Sequence, residues 1–253
     1  MNNMSITKFS KTVFIALTFT VIAVHQVKAD TPDCFESVNR AIFGFNMKLD
    51  KIVFKPIAKG YSYLPDSVET SLGNATSNVS HLVTIPNQLL QGKLGGAIHD
   101  TGRFLINTTV GILGLFDPAS KIGLEKQEPE DYGQTLGYWG VGHGCYVVLP
   151  VLGPTTLRDG LGNIGNTYLD PFYLSTVGDK EYLLDNNLGD RTYWTVEGVD
   201  KVNWRAENLK TVDDLEKNSV DFYSSVKSIY LQRRDKLTKD GDLSDEDEWK
   251  DFN

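Results

Sequence analysis

The sequence is poor in the residues that carry most recognisable chemistry. It holds two cysteines, Cys34 and Cys145, and four histidines, His25, His81, His99 and His143, in 253 residues. No HExxH or CxxC spacing occurs among them, so no local motif assembles a zinc site. Positive charge is short as well: 25 Lys and Arg against 33 Asp and Glu leave a formal net charge of -8. A nucleic-acid binder needs a basic footprint, which this balance excludes. General attraction to anionic lipid is missing for the same reason, so any membrane contact has to come from apolar faces or local basic clusters. Past the first thirty residues, no apolar run approaches the roughly 20 residues a helix needs to cross a bilayer. There is no G-x-S-x-G elbow. Gly140-Val-Gly142-His-Gly144 is not a GxGxxG fingerprint, and no Lys-Ser/Thr follows it to make a phosphate loop. No catalytic residue, metal or cofactor is expected.

The N-terminus reads as an export signal. Lys8 and Lys11 precede an apolar stretch, Val13 to Val24, too short to span a bilayer, and Val27-Lys28-Ala29 supplies small residues at the cleavage positions. Residues 1–29 are therefore expected to be a cleaved signal peptide, with the mature chain starting at Asp30, and an uncleaved N-terminal anchor is the alternative. Export permits a disulfide between Cys34 and Cys145, and free thiols remain the alternative. Thr31-Pro32-Asp33 lacks the small and apolar residues that lipidation requires ahead of Cys34. A Cys145/His143 pair would make a periplasmic hydrolase, but the two would have to meet by an accident of the fold. Residues 30–238 read as one helical domain, and 239–253 as an acidic disordered tail.

Within the domain the periodicity is helical. Val38, Ile42, Phe45, Leu49, Ile52 and Val53 give a helix over Glu36 to Lys59, broken near Pro56 and weakened at Gly44. Asp66 and Glu69 open a second helix, which Pro86 should stop. Asn87 to Asn107 reads as a third, with Leu90, Leu94, Ile98 and Leu105 on one stripe. In it Arg103 pairs with Asp100 or another acid, or anchors a phosphate. Thr108 to Phe116 is short, apolar and suited to a core or a membrane interface. Lys121 to Asp131 is a polar loop, Asp170-Pro171 a break, and Asp179 to Asp200 one or two short helices. Thr211 to Leu237 reads as a last helix capped by Thr211. Between these lies a block from Gly133 to Asp159, dense in glycine, proline and aromatic residues, where the backbone has to turn or approach other segments closely.

These blocks resemble the MlaA/VacJ family of bacterial outer-membrane proteins. The resemblance is carried by Asn39-Arg40, Phe43, Phe45-Asn46, Asp50 and Pro56, then Asn74, Asn78, Pro86-Asn87 and Leu89 to Gly92. Arg103 to Thr108 follow, with Gly111, Gly114 and Asp117. The most specific part is Gly133 to Gly137, Trp139 to Gly142, Gly144, Leu149-Pro150, Gly153-Pro154 and Arg158-Asp159; Asp170-Pro171 and Tyr230 to Arg234 also fit. The resemblance implies a mostly α, ring-like assembly of amphipathic and interfacial helices around a central amphipathic channel, with a Gly/Pro-rich irregular segment. It implies an outer-membrane component of intermembrane phospholipid transport, lying in the periplasmic leaflet. Such a component removes misplaced phospholipid from the outer leaflet and passes it to a soluble periplasmic lipid carrier, beside a porin trimer. Phe43, Gly44, Phe45 and Asn46 are then candidates for gating, and Arg103, Asn107, Arg158 and Asp159 for the channel wall, the last two as a structural clamp. Members are lipoproteins, which this chain does not resemble at Cys34. Cys145 stands where proline is common, implying a looser loop, and Asn166 where Asp is common, implying a lost charged contact. A structural envelope protein is the remaining alternative.

Overall fold

The computed structural model describes residues 31–176 and 186–239, without the side chains of 174–176 and 186–192. The expected signal peptide and the tail beyond Lys239 lie outside the described residues, as does the 179–185 part of the expected short helices. Among the described residues no helix is long and apolar enough to cross a membrane.

Helix α1, Glu36–Leu49, does not break near Pro56. It widens into a π turn, Asp50–Phe54, and continues as α2, Lys55–Tyr61. Pro56 has no N–H for the carbonyl four residues back. The wide turn ahead of it, where the Lys55 N–H reaches the Asp50 carbonyl, absorbs the mismatch. Asp50 in that turn is gripped by Arg205 Nε and Nη2 at 2.8 and 2.9 Å.

Helix α3, Asp66–Leu90, likewise runs through Pro86, with Asn87 Nδ2 donating to the Val83 carbonyl at 2.8 Å beside it. The stop comes at Gly92, at φ 75. There Lys93 N–H donates to the Gln88 carbonyl and Gly92 N–H to that of Leu89, the paired bonds of a Schellman end that needs a residue with positive φ. The third helix therefore starts later than expected, as α4, Leu94–Thr109.

After an exposed turn over 110–116 come α5, Pro118–Lys121, and α6, Tyr132–Tyr138. The hairpin β1, Tyr146–Leu149, and β2, Gly153–Thr156, pairs antiparallel with Tyr146 opposite Thr156. Thr156 then caps α7, Leu157–Tyr168, by accepting from Asp159 N–H, and Asp170 precedes α8, Pro171–Thr176. The last segments are α9, Asn186–Glu207, α10, Leu209–Asn218, and α11, Phe222–Thr238. The single final helix expected from Thr211 is split by Ser219-Val220-Asp221. Asp221 caps α11, accepting from the Ser224 N–H and hydroxyl, and pairs with Arg40 at 2.7 Å.

Neighbour relations among these elements close on themselves. The π turn joins α1 to α2, which packs on α9; α9 packs on α3, α3 on α6, α6 on α11, α11 on β2, and β1 on α1. The result is a mostly helical, ring-like fold. Among the described residues the apolar core cluster is small: Phe43, Tyr146, Val148 and Tyr223, with Phe43 edge-on to Phe222 and Tyr223 at 5.3 and 5.5 Å. Elsewhere the usual distribution is reversed. Among the described residues, buried polar and charged side chains outnumber buried apolar ones by more than two to one. On α4 the apolar stripe Leu94, Ile98 and Leu105 is exposed, while Asp100, Arg103 and Asn107 are buried. On α7 Leu157, Leu161, Ile164 and Tyr168 face out and Arg158 and Asp159 face in. A water-soluble helix turns its apolar stripe to the core; these turn it away.

Candidate functional site

The segment Phe43 to Asn46 sits on α1 and is split between two roles. Phe43 is buried in the aromatic cluster, whereas Phe45 is 52% exposed. Gly44 faces open space, with nothing within 4 Å of where a Cβ would stand. Asn46 is buried and completes the hairpin's free edge. Its Nδ2 donates to the Leu149 carbonyl at 2.9 Å, and its Oδ1 accepts from Val151 N–H at 2.8 Å. Asn39, two helical turns earlier, does the same one register back, donating to the Tyr146 carbonyl at 3.0 Å and accepting from Val148 N–H at 2.9 Å. Two side-chain amides thus imitate a third strand. Asn39 was legible in the sequence as a helix residue but not as a strand partner. Asparagines at i and i+7 on one helix face were the available signal.

Arg103 and Asn107 meet at the exposed turn. Arg103 pairs with Asp117 at 2.9 Å and also donates to Ser120 Oγ and the Leu124 carbonyl. Asn107 donates to the other Asp117 oxygen at 2.9 Å and accepts from Ala119 N–H at 3.1 Å. Asp100, the neighbour expected for Arg103, turns instead to Gln88 and His99. With its guanidinium held by Asp117, Arg103 fixes a loop. Burial pushes the Asp117 carboxyl up, but the Ser120, Arg103 and Asn107 hydrogen bonds outweigh it and hold its pKa well below the carboxylate range. The turn these residues brace presents Val110, Ile112, Leu113 and Phe116 to the outside, with Ile112 and Leu113 at positive φ.

Arg158 and Asp159 belong to a third, separate cluster at the junction of α6, α7 and α11. Arg158 Nε lies 3.0 Å from Asp159. Arg234 binds Asp131 through two bonds of 2.6 and 3.0 Å and Asp159 through two of 3.0 Å, and Tyr230 donates to Asp159 at 2.8 Å. Burial raises both carboxyls, yet Arg234 outweighs it, so Asp131 and Asp159 both sit below their ordinary pKa. Glycine makes the junction possible: a Cβ on Gly162 would collide with the backbone of Gly133. Asn166 takes part as well, its Oδ1 accepting from Tyr132 N–H at 2.9 Å, so the neutral side chain still makes a contact that holds α6.

Cys145 is bonded to Cys34. The sulfur of the conceivable hydrolase pair is therefore not a thiolate nucleophile, and His143 Nε2 is spent on Asp235 at 2.7 Å. The loop at Cys145 is tied covalently rather than loosened by its lack of proline.

A cleft absent from the sequence reading opens between α3 and α9. It encloses about 150 Å³, lined by Thr76, Thr84, Glu130, Asp170, Glu197 and Asp200 with three valines. Asp170 is buried there; its burial, helped by the Glu197 charge, raises its pKa against the opposing Phe172 and Tyr173 backbone bonds. Burial together with Glu197 and Asp170 pushes Tyr193 up to about 12. The cleft thus sets carboxylates and threonines beside valine and proline side chains. Thr76 and Thr84, about two turns apart on α3, were the signal available for it.

Comparison with known proteins matches this arrangement. The family model described as MlaA lipoprotein covers residues 31–237. A Rickettsia bellii protein is 37% identical over 205 residues, 80% of this chain and 75% of that one. The intermembrane phospholipid transport system lipoprotein MlaA of Escherichia coli is 35% identical over 218 residues, 83% of this chain and 80% of that one. Its Haemophilus influenzae counterpart is 31% identical over 217 residues, 83% and 81% of the two chains. A solved structure described as the structural basis for maintenance of bacterial outer membrane lipid asymmetry superposes with a TM-score of 0.68 at 33% identity, covering 83% of this chain and all of that one. The family model over nearly all of the described residues, the relatives at more than 30% identity and the shared fold agree: the chain belongs to the MlaA family.

Proposed function

We propose that this chain is the outer-membrane component of an intermembrane phospholipid transport system. It takes misplaced phospholipid from the outer leaflet and passes it to a soluble periplasmic lipid carrier, lying in the periplasmic leaflet beside a porin trimer. The observation that carries the reading is the reversed polarity. Outward stripes on α4 and α7 suit hydrocarbon, and the buried Asn, Thr, Asp and Arg side chains, paired with one another, replace an apolar core and hold the ring together from inside. No bond is made or broken; the work is selective passage through an amphipathic channel. The family membership and the relatives' names as phospholipid transport lipoproteins support the same reading.

Within it, Phe43 to Asn46 form the gating segment. Gly44 lets α1 flex, exposed Phe45 moves, and Asn46 ties that motion to the hairpin. Arg103, Asn107, Arg158 and Asp159 hold the wall rigid around it. The domain is residues 30–238, exported by its signal peptide, with the acidic tail in the periplasm. The cleft between α3 and α9 lies on the headgroup's path. A photo-reactive amino acid at Ser80, on that cleft, captures phospholipid in membranes, whereas the same probe at the solvent-facing Lys210 captures none. Equal or absent capture at Ser80 would remove the cleft from the path. A Gly44→Ala substitution or a Phe45 deletion changes outer-leaflet phospholipid; unchanged levels with the protein present would remove the gate.

A further inference from the structure

The family is described as one of lipoproteins, in which an acylated cysteine at the mature N-terminus is the anchor. The start of this fold is built differently. Cys34 is joined to Cys145, 111 residues away, where β1 begins. The chain has two cysteines in all, so this bond uses both. A thiol cannot form a disulfide and a thioether at once.

The residues ahead of Cys34 point the same way. Lipoprotein processing cuts directly before the acylated cysteine, and here that cut would discard Pro32 and Asp33. Both are part of the fold. The Pro32 carbonyl accepts from Tyr146 N–H at 2.9 Å, extending the β1 edge where the Asn39 and Asn46 amides take over. The Asp33 side chain is 8% exposed, with Lys227 at 3.4 Å. It accepts from Asn39 Nδ2 at 2.7 Å and from the Tyr223 hydroxyl at 2.5 Å. Asp33 thereby joins three elements, the N-terminal segment, α1 and α11, at the point where the ring closes on β1. Removing it would leave the Tyr223 hydroxyl and part of Asn39 buried and without these bonds, a cost of the kind that buried polar groups rarely carry.

We infer that Cys34 is an oxidised, structural cysteine of a non-acylated protein: the mature chain keeps Pro32 and Asp33, and a covalent seam stands where the lipoproteins of the family carry their anchor. The bond forms by exchange. The Cys34 and Cys145 thiols give two protons and two electrons to an oxidised dithiol donor of the export compartment, whose own disulfide opens to two thiols as the Cys34–Cys145 bond closes. Retention in the membrane then falls to the exposed apolar faces, Leu94, Ile98 and Leu105 on α4 and Leu157, Leu161 and Ile164 on α7.

The test is the intact mass of the full chain, isolated from membranes with its thiols blocked by N-ethylmaleimide, beside a known lipoprotein from the same membranes and after growth with an alkyne fatty acid. The expected chain begins ahead of Pro32, carries no fatty-acid label and no maleimide, and gains two maleimides after reduction. A mature chain beginning at Cys34 with a diacylglyceryl mass overturns the inference, and so does an unlabelled chain with two free thiols. A second variant guards against misfolding: Cys34→Ser with Cys145→Ser stays in the membrane pellet through a high-salt wash, whereas loss of an acyl anchor would release it. These readouts do not depend on transport, so they stand or fall separately from the phospholipid reading.

Discussion

Arg234 offers the sharpest test of how the ring is held. Its guanidinium makes two bonds to Asp131 and two to Asp159, all between 2.6 and 3.0 Å. The Arg234 side chain is 12% exposed and that of Asp159 4%. Arg234→Met keeps the bulk of the side chain and removes the charge. Asp131 then retains only Gln134, and Asp159 retains Arg158 and Tyr230. Removing one partner of a buried pair costs about 3–5 kcal/mol. Because Arg158 stays, the loss belongs near 3, or roughly 6–12 °C in melting temperature for a domain of this size. The pH dependence is the discriminating part. In the wild type both carboxyls are held below 3.8, so the stability they contribute is complete above that value and lost only as pH falls beneath it. In the variant the same carboxyls are buried without Arg234, and protonation relieves them. The gap between the proteins therefore narrows as pH drops from 7 toward 4. Circular dichroism melts in detergent micelles at pH 7, 5 and 4 measure it. A loss under about 1 kcal/mol, or a gap that does not change with pH, would show that water already screens the cluster and that it does not hold α11 to α6 and α7.

Reduction of the Cys34–Cys145 bond should lower stability by up to about 4–5 kcal/mol, the scale for a loop of roughly 100 residues, read as a shift in denaturant midpoint with and without reductant. Asn39→Leu combined with Asn46→Leu should raise hydrogen exchange at Val148 and Val151 while α3 and α4 keep theirs; a uniform rise everywhere would mean the amides serve global stability alone. Gly162→Ala should prevent folding, because its Cβ has no space against Gly133, whereas Gly44→Ala has open space and gains helix propensity of about 1 kcal/mol. Expression and melting of the two variants side by side check that contrast.

Much of the helical content was legible from three-to-four spacing, and several boundaries were not. Pro56 and Pro86 are strong local stop signals, yet tertiary packing carries the helices through both, at Pro56 with a π turn. The true stop at Gly92 depended on a positive φ that spacing does not report. The split at Asp221 was hidden because apolar residues continue on both sides of it, and only the cap chemistry of Asp221 with Ser224 marks it. Apolar stripes were visible as stripes, but periodicity has no sign: it does not say whether Leu94, Ile98 and Leu105 face a core or a bilayer. The buried partners Asp100, Arg103 and Asn107 decide that, and their burial is a property of the fold. The candidate residues came from family resemblance, and the structure distributes them over three clusters. Asp131 and Asp33, which hold the Asp159 cluster and the start of α1, had no local pattern to announce them, and Arg234 stood in a family-like block that does not report its partners.

The central claim is transport, and the most direct measurement is the phospholipid content of the outer leaflet in cells lacking this chain, with labelling by a reagent that does not cross the outer membrane. Outer-leaflet phospholipid should rise in the deletion strain and return to its starting level when the wild-type chain is restored. A deletion strain whose outer-leaflet phospholipid stays at the wild-type level would contradict the account.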